Sequence, residues 1–318
     1  MRFVIVGTGG VGGYFGARLA AAGNDVAFIA RGGHREAMAR RGLTVRSALG
    51  DLHIAEPAVF ADPAAAGPCD YVLLCVKMQD LAPLAESLRP LIAQDTVHHT
   101  AHQTAVVPFQ NGVEAEGMLC EALGLRFVMG GVAYIFAHIA EPGVIQHVGE
   151  IARLAFGELD GQKTARQEAL LSACTAAGIG ADATDRIDDR IWRKFALLAP
   201  LAGATCLGRC PVGGVRDDPG LSAKLEAMVG EAVALGRARG VTLPQDLEAR
   251  TLKAIGQLDA GMKTSMLTDL EAGKSLELEW LNGAIVRLGA DAGLGTPANA
   301  EVVEALRPFA GGAGRNPR

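Results

Sequence analysis

The chain has 318 residues, a length that suits two domains rather than one, with 49% hydrophobic residues and a formal net charge of −5. That acidic balance argues against a nucleic-acid surface, and no apolar stretch reaches the roughly 20 residues of a membrane span. The opening residues read as a strand rather than a leader, and six cysteines without zinc-type or redox spacing suit free thiols in a reducing cytoplasm.

The first strand, Phe3-Val4-Ile5-Val6, runs straight into Gly7-Thr8-Gly9-Gly10-Val11-Gly12. Gly7, Gly9 and Gly12 occupy the three glycine places of the G-x-G-x-x-G dinucleotide fingerprint. The first glycine permits the tight turn, the second lets backbone approach a pyrophosphate, and the third lets the next helix pack closely. That helix, expected over about Val11 to Ala22, points free N–H groups and its positive dipole end at phosphates. A bare glycine pattern is weak evidence. Here it follows an apolar strand, opens an Ala-rich helix and precedes a second strand, Asp25 to Ala30, which is the context the motif requires.

The end of the second strand bears on cofactor choice. Sites for NAD place an Asp or Glu there to hold the ribose 2′-hydroxyl. This chain reads Ala30-Arg31-Gly32-Gly33-His34-Arg35, with no acid. Arg31 matches a 2′-phosphate in charge and fork geometry, and Arg35 is placed to assist it. The expected cofactor is therefore NADPH, although a solvated loop arginine would look the same.

Further on, a helix is predicted over Glu36 to Arg41, a hairpin over Leu43 to Ile54, and a buried strand over Tyr71 to Val76 ending at Lys77. A helix over Leu81 to Ile92 and a strand over Ala105 to Phe109, ending at Gln110-Asn111-Gly112, come next. Strands over Val128 to Phe136 and Val144 to Leu154, a helix over Lys163 to Ala177 and a strand over Ile179 to Ala183 complete the alternation. The intervening Val97-His98-His99-Thr100-Ala101-His102-Gln103 has three histidines but no carboxylate or cysteine at ligand spacing, so it reads as a polar loop and no metal is expected.

Such alternation implies an α/β fold with a mostly parallel, doubly wound Rossmann-type sheet over residues 1–186. Ligands there bind at the carboxyl ends of strands, where Lys77 and Asn111 fall. Residues 187–318 read as an all-α domain, with helices over Ile187 to Ala202, Leu221 to Ala238, Pro244 to Ile255, Leu276 to Ala292 and Ala298 to Phe309, and a Gly- and Arg-rich end from Gly311 to Arg318.

The chain resembles the ketopantoate reductases, NADPH-dependent enzymes that reduce 2-dehydropantoate. The resemblance runs through Gly7 to Gly12, Gln110-Asn111-Gly112, Ile191-Trp192-Arg193-Lys194, and Thr264-Ser265-Met266-Leu267 with Glu277. It implies that the first domain binds NADPH and the second, helical domain takes a small 2-oxo acid. By the same resemblance Lys194 is the catalytic acid, and Asn111 touches nicotinamide and substrate. Lys77 lies near the cofactor, Ser265 holds the substrate carboxylate, and Glu277 sits beside the cofactor ribose and Lys194. Without it, Lys194 would read as a solvated helix face, Asn111-Gly112 as a turn and Ser265 as a helix cap; Glu279 fits the pattern as well as Glu277. A homodimer is an open arrangement.

The resemblance breaks in the substrate pocket. Three family asparagines correspond to Leu198, Ala202 and Val212, which leaves a greasier site for the substrate hydroxyl. Thr205 and Arg209 are the candidates to compensate, Arg209 by forking onto a carboxylate. A reductase of another 2-oxo acid, a 3-hydroxyacid or opine-type dehydrogenase, and a non-catalytic NADPH-binding sensor are the alternatives.

Overall fold

The computed structural model describes residues 1–92 and 103–312. The chain divides into two compact units, Met1–Gln110 with Glu114–Ile187, and Asn111–Val113 with Asp188–Arg318. Residues 111–113 thus group with the second unit, apart from their neighbours in sequence.

In the first unit, β1 (Arg2–Val6) is apolar on both faces and buried from Phe3 onward, as a central parallel strand must be. It leads through the glycine turn into α1 (Gly10–Ala21), then β2 (Asp25–Ile29) and α2 (Gly32–Arg41). The short strands β3 (Leu43–Arg46) and β4 (Leu52–Ile54) pair antiparallel as the hairpin that the sequence suggests. Next come β5 (Ala58–Phe60), β6 (Tyr71–Leu74), α3 (Leu81–Ala85), β7 (Ala105–Pro108) and α4 (Ala115–Leu123). A sheet in the order β5-β2-β1-β6-β7 results, with every pair parallel. Phe3 and Tyr71 stack on adjacent strands with ring centroids 5.1 Å apart, among the largest fully buried side chains.

The unit carries a second sheet that the sequence does not announce. Strands β8 (Met129–Glu141) and β9 (Val144–Glu158) run past their expected ends at Phe136 and Leu154 and form an antiparallel hairpin around Pro142 and Gly143. Gly143 takes φ +89°, the left-handed conformation that such a two-residue turn demands. After α5 (Ala165–Ala176), β10 (Gly180–Ala183) joins β9, giving the mixed order β10-β9-β3-β4 with β8 on the far side of β9. The expected helix over Leu81 to Ile92 is also cut short. After α3 the chain continues as a 3-10 turn over Glu86–Leu91, where Pro90 withholds an N–H from any longer α-helix.

The second unit is helical throughout its described residues: α6 (Ile187–Gly208), α7 (Val212–Asp217), α8 (Pro219–Ala238), α9 (Leu247–Gly256), α10 (Ser265–Glu271), α11 (Asn282–Asp291) and α12 (Pro297–Leu306). Helix α6 runs two turns further than expected, and α7 and α10 are additions. Residues 276–292 are a 3-10 turn at Leu278–Trp280 followed by α11 rather than one helix. Asp218 starts α8, its carboxylate accepting from the N–H groups of Gly220 and Leu221 at 2.8 and 3.0 Å with Pro219 at the first position. The core is mostly aliphatic, with Ala199, Met228, Val229, Leu267 and Ile285 packed around Trp192 and Phe195, as the scarcity of aromatics requires.

Candidate active site

At the end of β1, Gly7 takes φ +94°, and a Cβ there would meet the Val76 backbone at 2.7 Å. A Cβ on Gly12 would lie 2.3 Å from the Gly7 carbonyl, and one on Gly10 only 2.0 Å from the Ala137 carbonyl of β8. Gly9 is different, because nothing lies within 4 Å of its missing Cβ. Three glycines are thus demanded by packing and the fourth borders open space, the cradle that a pyrophosphate needs. Gly9 begins α1 with no side chain capping it, and the first N–H bonded inside the helix is that of Gly13, to the Gly9 carbonyl at 2.8 Å. The N–H groups of Gly10, Val11 and Gly12 are left for an anion. Thr8 is buried in the turn. Its hydroxyl and its N–H both donate to the Ile29 carbonyl, at 3.0 and 3.1 Å, which ties the turn to β2.

Arg31 follows β2 in extended backbone and is exposed, with Arg35 half-buried one turn into α2. The residues that follow β2, Ala30 to Arg35, include no carboxylate. Asp25, the acid of β2, is at the opposite end and pairs with Arg2 at 2.7 Å. The residues present therefore fit a ribose 2′-phosphate. Lys77 lies just past β6, half-buried, its carbonyl accepting from the Asp80 N–H at 3.0 Å.

Two residues here escaped sequence reasoning. The Nδ1 of His34 accepts from the Gly143 N–H at 3.1 Å, and burial holds the ring's pKa down, so the imidazole is neutral with its proton on Nε2. Gln110, just past β7, has both amide atoms buried without a partner. Its place at the carboxyl end of a parallel strand was the available signal.

In the second unit, Lys194 lies on α6 and is half-buried. Its Nζ donates to Oδ1 of Asn111 at 2.9 Å. Burial drives the ammonium pKa down to about 8, against the opposing pull of the Glu277 charge. Glu277 is buried, whereas Glu279 is exposed and paired with Arg287, so the structure separates two acids that the sequence left equivalent. Lysine, amide and acid form one cluster: a cation near neutral pKa, a neutral acceptor that orients it and a carboxylate that keeps it charged.

Ser265 is exposed in the first turn of α10. The cap of that helix is Thr264, whose hydroxyl accepts from the Leu267 N–H at 3.2 Å and meets the Thr205 hydroxyl at 2.8 Å. Thr205 also donates back to the Leu201 carbonyl at 2.9 Å, so it is committed to the fold and does not compensate for a missing amide. Arg209 is corrected too. It leaves α6 with φ +47° and its guanidinium lies 4.6 Å over the Phe309 ring. By the rise along α6 its Cα is about 22 Å from that of Lys194, and its guanidinium is engaged with Phe309. Ala202 and Val212 are fully buried in the helical core, so only half-buried Leu198 remains to line a pocket. The His98, His99 and His102 segment lies outside the described residues.

A parallel sheet with a glycine turn, followed by a helical unit that holds a lysine against an amide, is the arrangement of a nicotinamide-dependent oxidoreductase of the two-domain type. The defining pattern of the family "Ketopantoate reductase PanE/ApbA" matches residues 3–161, and that of its C-terminal domain residues 186–310. The chain belongs to the ketopantoate reductase family. A 2-dehydropantoate 2-reductase of Mesorhizobium japonicum is 31% identical over 98% of both chains. The uncharacterized oxidoreductase YkpB of Bacillus subtilis is 30% identical over 97% of this chain and 99% of its own. Among solved structures, a PanE/ApbA family ketopantoate reductase from Ralstonia eutropha superposes with a TM-score of 0.87 at 30% identity, covering 97% of this chain and 98% of that one.

Proposed function

We propose that this enzyme uses NADPH to reduce 2-dehydropantoate to pantoate, with Lys194 as proton donor, a step of pantothenate biosynthesis in the cytoplasm. The observation that carries the reading is the Lys194–Asn111 hydrogen bond at 2.9 Å around an ammonium whose pKa burial sets at about 8. An acid of that pKa is charged at pH 7 yet gives up its proton readily.

The N–H groups of Gly10, Val11 and Gly12 would hold the cofactor's pyrophosphate and Arg31 its 2′-phosphate, with Lys77 beside the nicotinamide half. When bound, the cofactor supplies the hydride that adds to C2 of the substrate. As the carbonyl oxygen gains negative charge, Lys194 stabilises it and then transfers a proton, leaving a neutral amine and a hydroxyl. Asn111 holds the Nζ in line through Oδ1, and its own N–H groups are donors for the substrate. Glu277 favours the charged lysine and so resets it after each turnover, while Ser265 takes the substrate carboxylate.

A second reading, reduction of a 2-oxo acid with an apolar side chain, is favoured by the half-buried, apolar Leu198 one turn beyond Lys194 on α6. Titrating NADPH fluorescence and then adding a panel of 2-oxo acids tests both. Oxidation with 2-dehydropantoate supports the first and oxidation only with apolar acids the second. Binding without oxidation of the cofactor would leave a sensor in place of an enzyme.

A further inference from the structure

The Gln110 side chain is the amide among the described residues whose oxygen and nitrogen are both buried and both without a partner. The other amides with an unpaired buried oxygen use their nitrogen: Gln167 donates to the Thr184 carbonyl at 3.1 Å, and Asn282 to Asn299 at 2.9 Å. A fully vacant buried amide is costly to the fold, and such groups are kept where a ligand supplies the missing bonds.

Its position says which ligand. Gln110 follows β7, at the edge where the parallel strands present their carboxyl ends and where open α/β sheets take ligands. Across the order β2-β1-β6-β7, that edge carries Arg31, the glycine turn, Lys77 and Gln110 in turn. A dinucleotide with its 2′-phosphate at Arg31 and its pyrophosphate over the glycines runs toward Gln110 with its nicotinamide half. Chemistry narrows the choice further. A carboxylate or phosphate offers only acceptors and would leave Oε1 facing negative charge, whereas the vacant pair asks for a donor and an acceptor side by side.

We propose that Gln110 binds the carboxamide of the nicotinamide ring through a reciprocal pair of hydrogen bonds, orienting the ring for hydride transfer. This rests on the reading that the first unit binds NADP(H). The ribose diol is the other cofactor group with that donor–acceptor pairing, and the test separates the two.

Binding to the full-length protein is measured by calorimetry for NADP+, for its 3-acetylpyridine analogue, which lacks the amide N–H, and for 2′-phospho-ADP-ribose, which keeps the diol but has no nicotinamide. Gln110→Leu should weaken NADP+ by about tenfold, abolish any preference for NADP+ over the analogue, and leave 2′-phospho-ADP-ribose within about twofold. The near-isosteric Gln110→Met, which removes both donor and acceptor and is checked by its melting curve, should give the same pattern if the leucine variant does not fold. Equal weakening of NADP+ and 2′-phospho-ADP-ribose would move the contact to the diol and overturn the proposal, as would unchanged NADP+ binding. If the unaltered protein binds none of the three, the cofactor reading itself fails and this inference falls with it.

Discussion

Lys194 and Asn111, 83 residues apart in the chain, are joined side chain to side chain, with Nζ donating to Oδ1 at 2.9 Å. The partner is an amide rather than a carboxylate, so it fixes direction without adding a negative charge. Burial therefore wins over the Glu277 field, and the ammonium pKa settles near 8 rather than at its ordinary 10.5.

Reduction needs Lys194 charged. The kcat/KM for carbonyl reduction should be flat below pH 8 and decline as pH rises through about 8, while kcat/KM for oxidation of the alcohol gains over the same interval. The Glu277 charge raises the lysine pKa, so Glu277→Gln should shift both limbs to lower pH. A pH–rate profile that stays in place in that variant would refute the coupling.

Removing the acid should affect chemistry and spare binding. Lys194→Ala is expected to lower kcat by roughly 10²–10⁴ while NADPH titrates as before. Near-normal turnover would assign the proton to another group.

Cofactor choice should follow Arg31. With no acid at the end of β2, Arg31→Ala should cost about 1.5–3 kcal/mol of NADPH binding, the scale of a hydrogen bond to a charged group. NADH should bind nearly unchanged. Equal losses for both cofactors would make Arg31 a structural residue.

Selectivity for the substrate hydroxyl should be modest. With Leu198 half-buried and Ala202 and Val212 sealed in the core, kcat/KM for 2-dehydropantoate over 2-oxo acids without the hydroxyl should stay below about 200-fold. A much larger ratio would mean that other donors recognise the hydroxyl. Arg209→Ala should leave KM for every 2-oxo acid unchanged, since its guanidinium covers Phe309.

Stability of the first unit should depend on a nearly buried ion pair. Glu158 accepts from Arg166 at 2.7 and 2.5 Å and from the Thr164 hydroxyl at 2.5 Å. Glu158→Ala strands the guanidinium and should cost about 3–5 kcal/mol in urea unfolding. A loss under 1 kcal/mol would show that water or the Arg126 carbonyl satisfies Arg166 alone.

How much of this could be read beforehand depended on whether the signal was local. The glycine turn and β1 were legible because a strand-to-helix turn constrains residues a few positions apart. The β8–β9 hairpin ran longer than its apolar residues suggested, since its outer half is exposed and its register is set by pairing with β3, a hundred residues away. Lys194 carries no local mark in Trp192-Arg193-Lys194-Phe195 and stood out only through a family likeness. Gln110 was marked only by its place after a parallel strand, because its missing hydrogen bonds exist only in three dimensions. Arg209 misled for the opposite reason: its charge suggested an anion, and the fold spent it on a ring.

The contact between Gly10 and Ala137 sets a limit on portability. The nucleotide turn near the amino terminus is backed by strand residues met more than a hundred positions later, with Gly13 closing on Ile145 and His34 accepting from the Gly143 N–H. A transplanted segment ending after β7 would carry every fingerprint glycine and lack the wall they were chosen to fit. A larger residue at Gly10 would meet backbone rather than a side chain, so no exchange at Ala137 alone makes room for it.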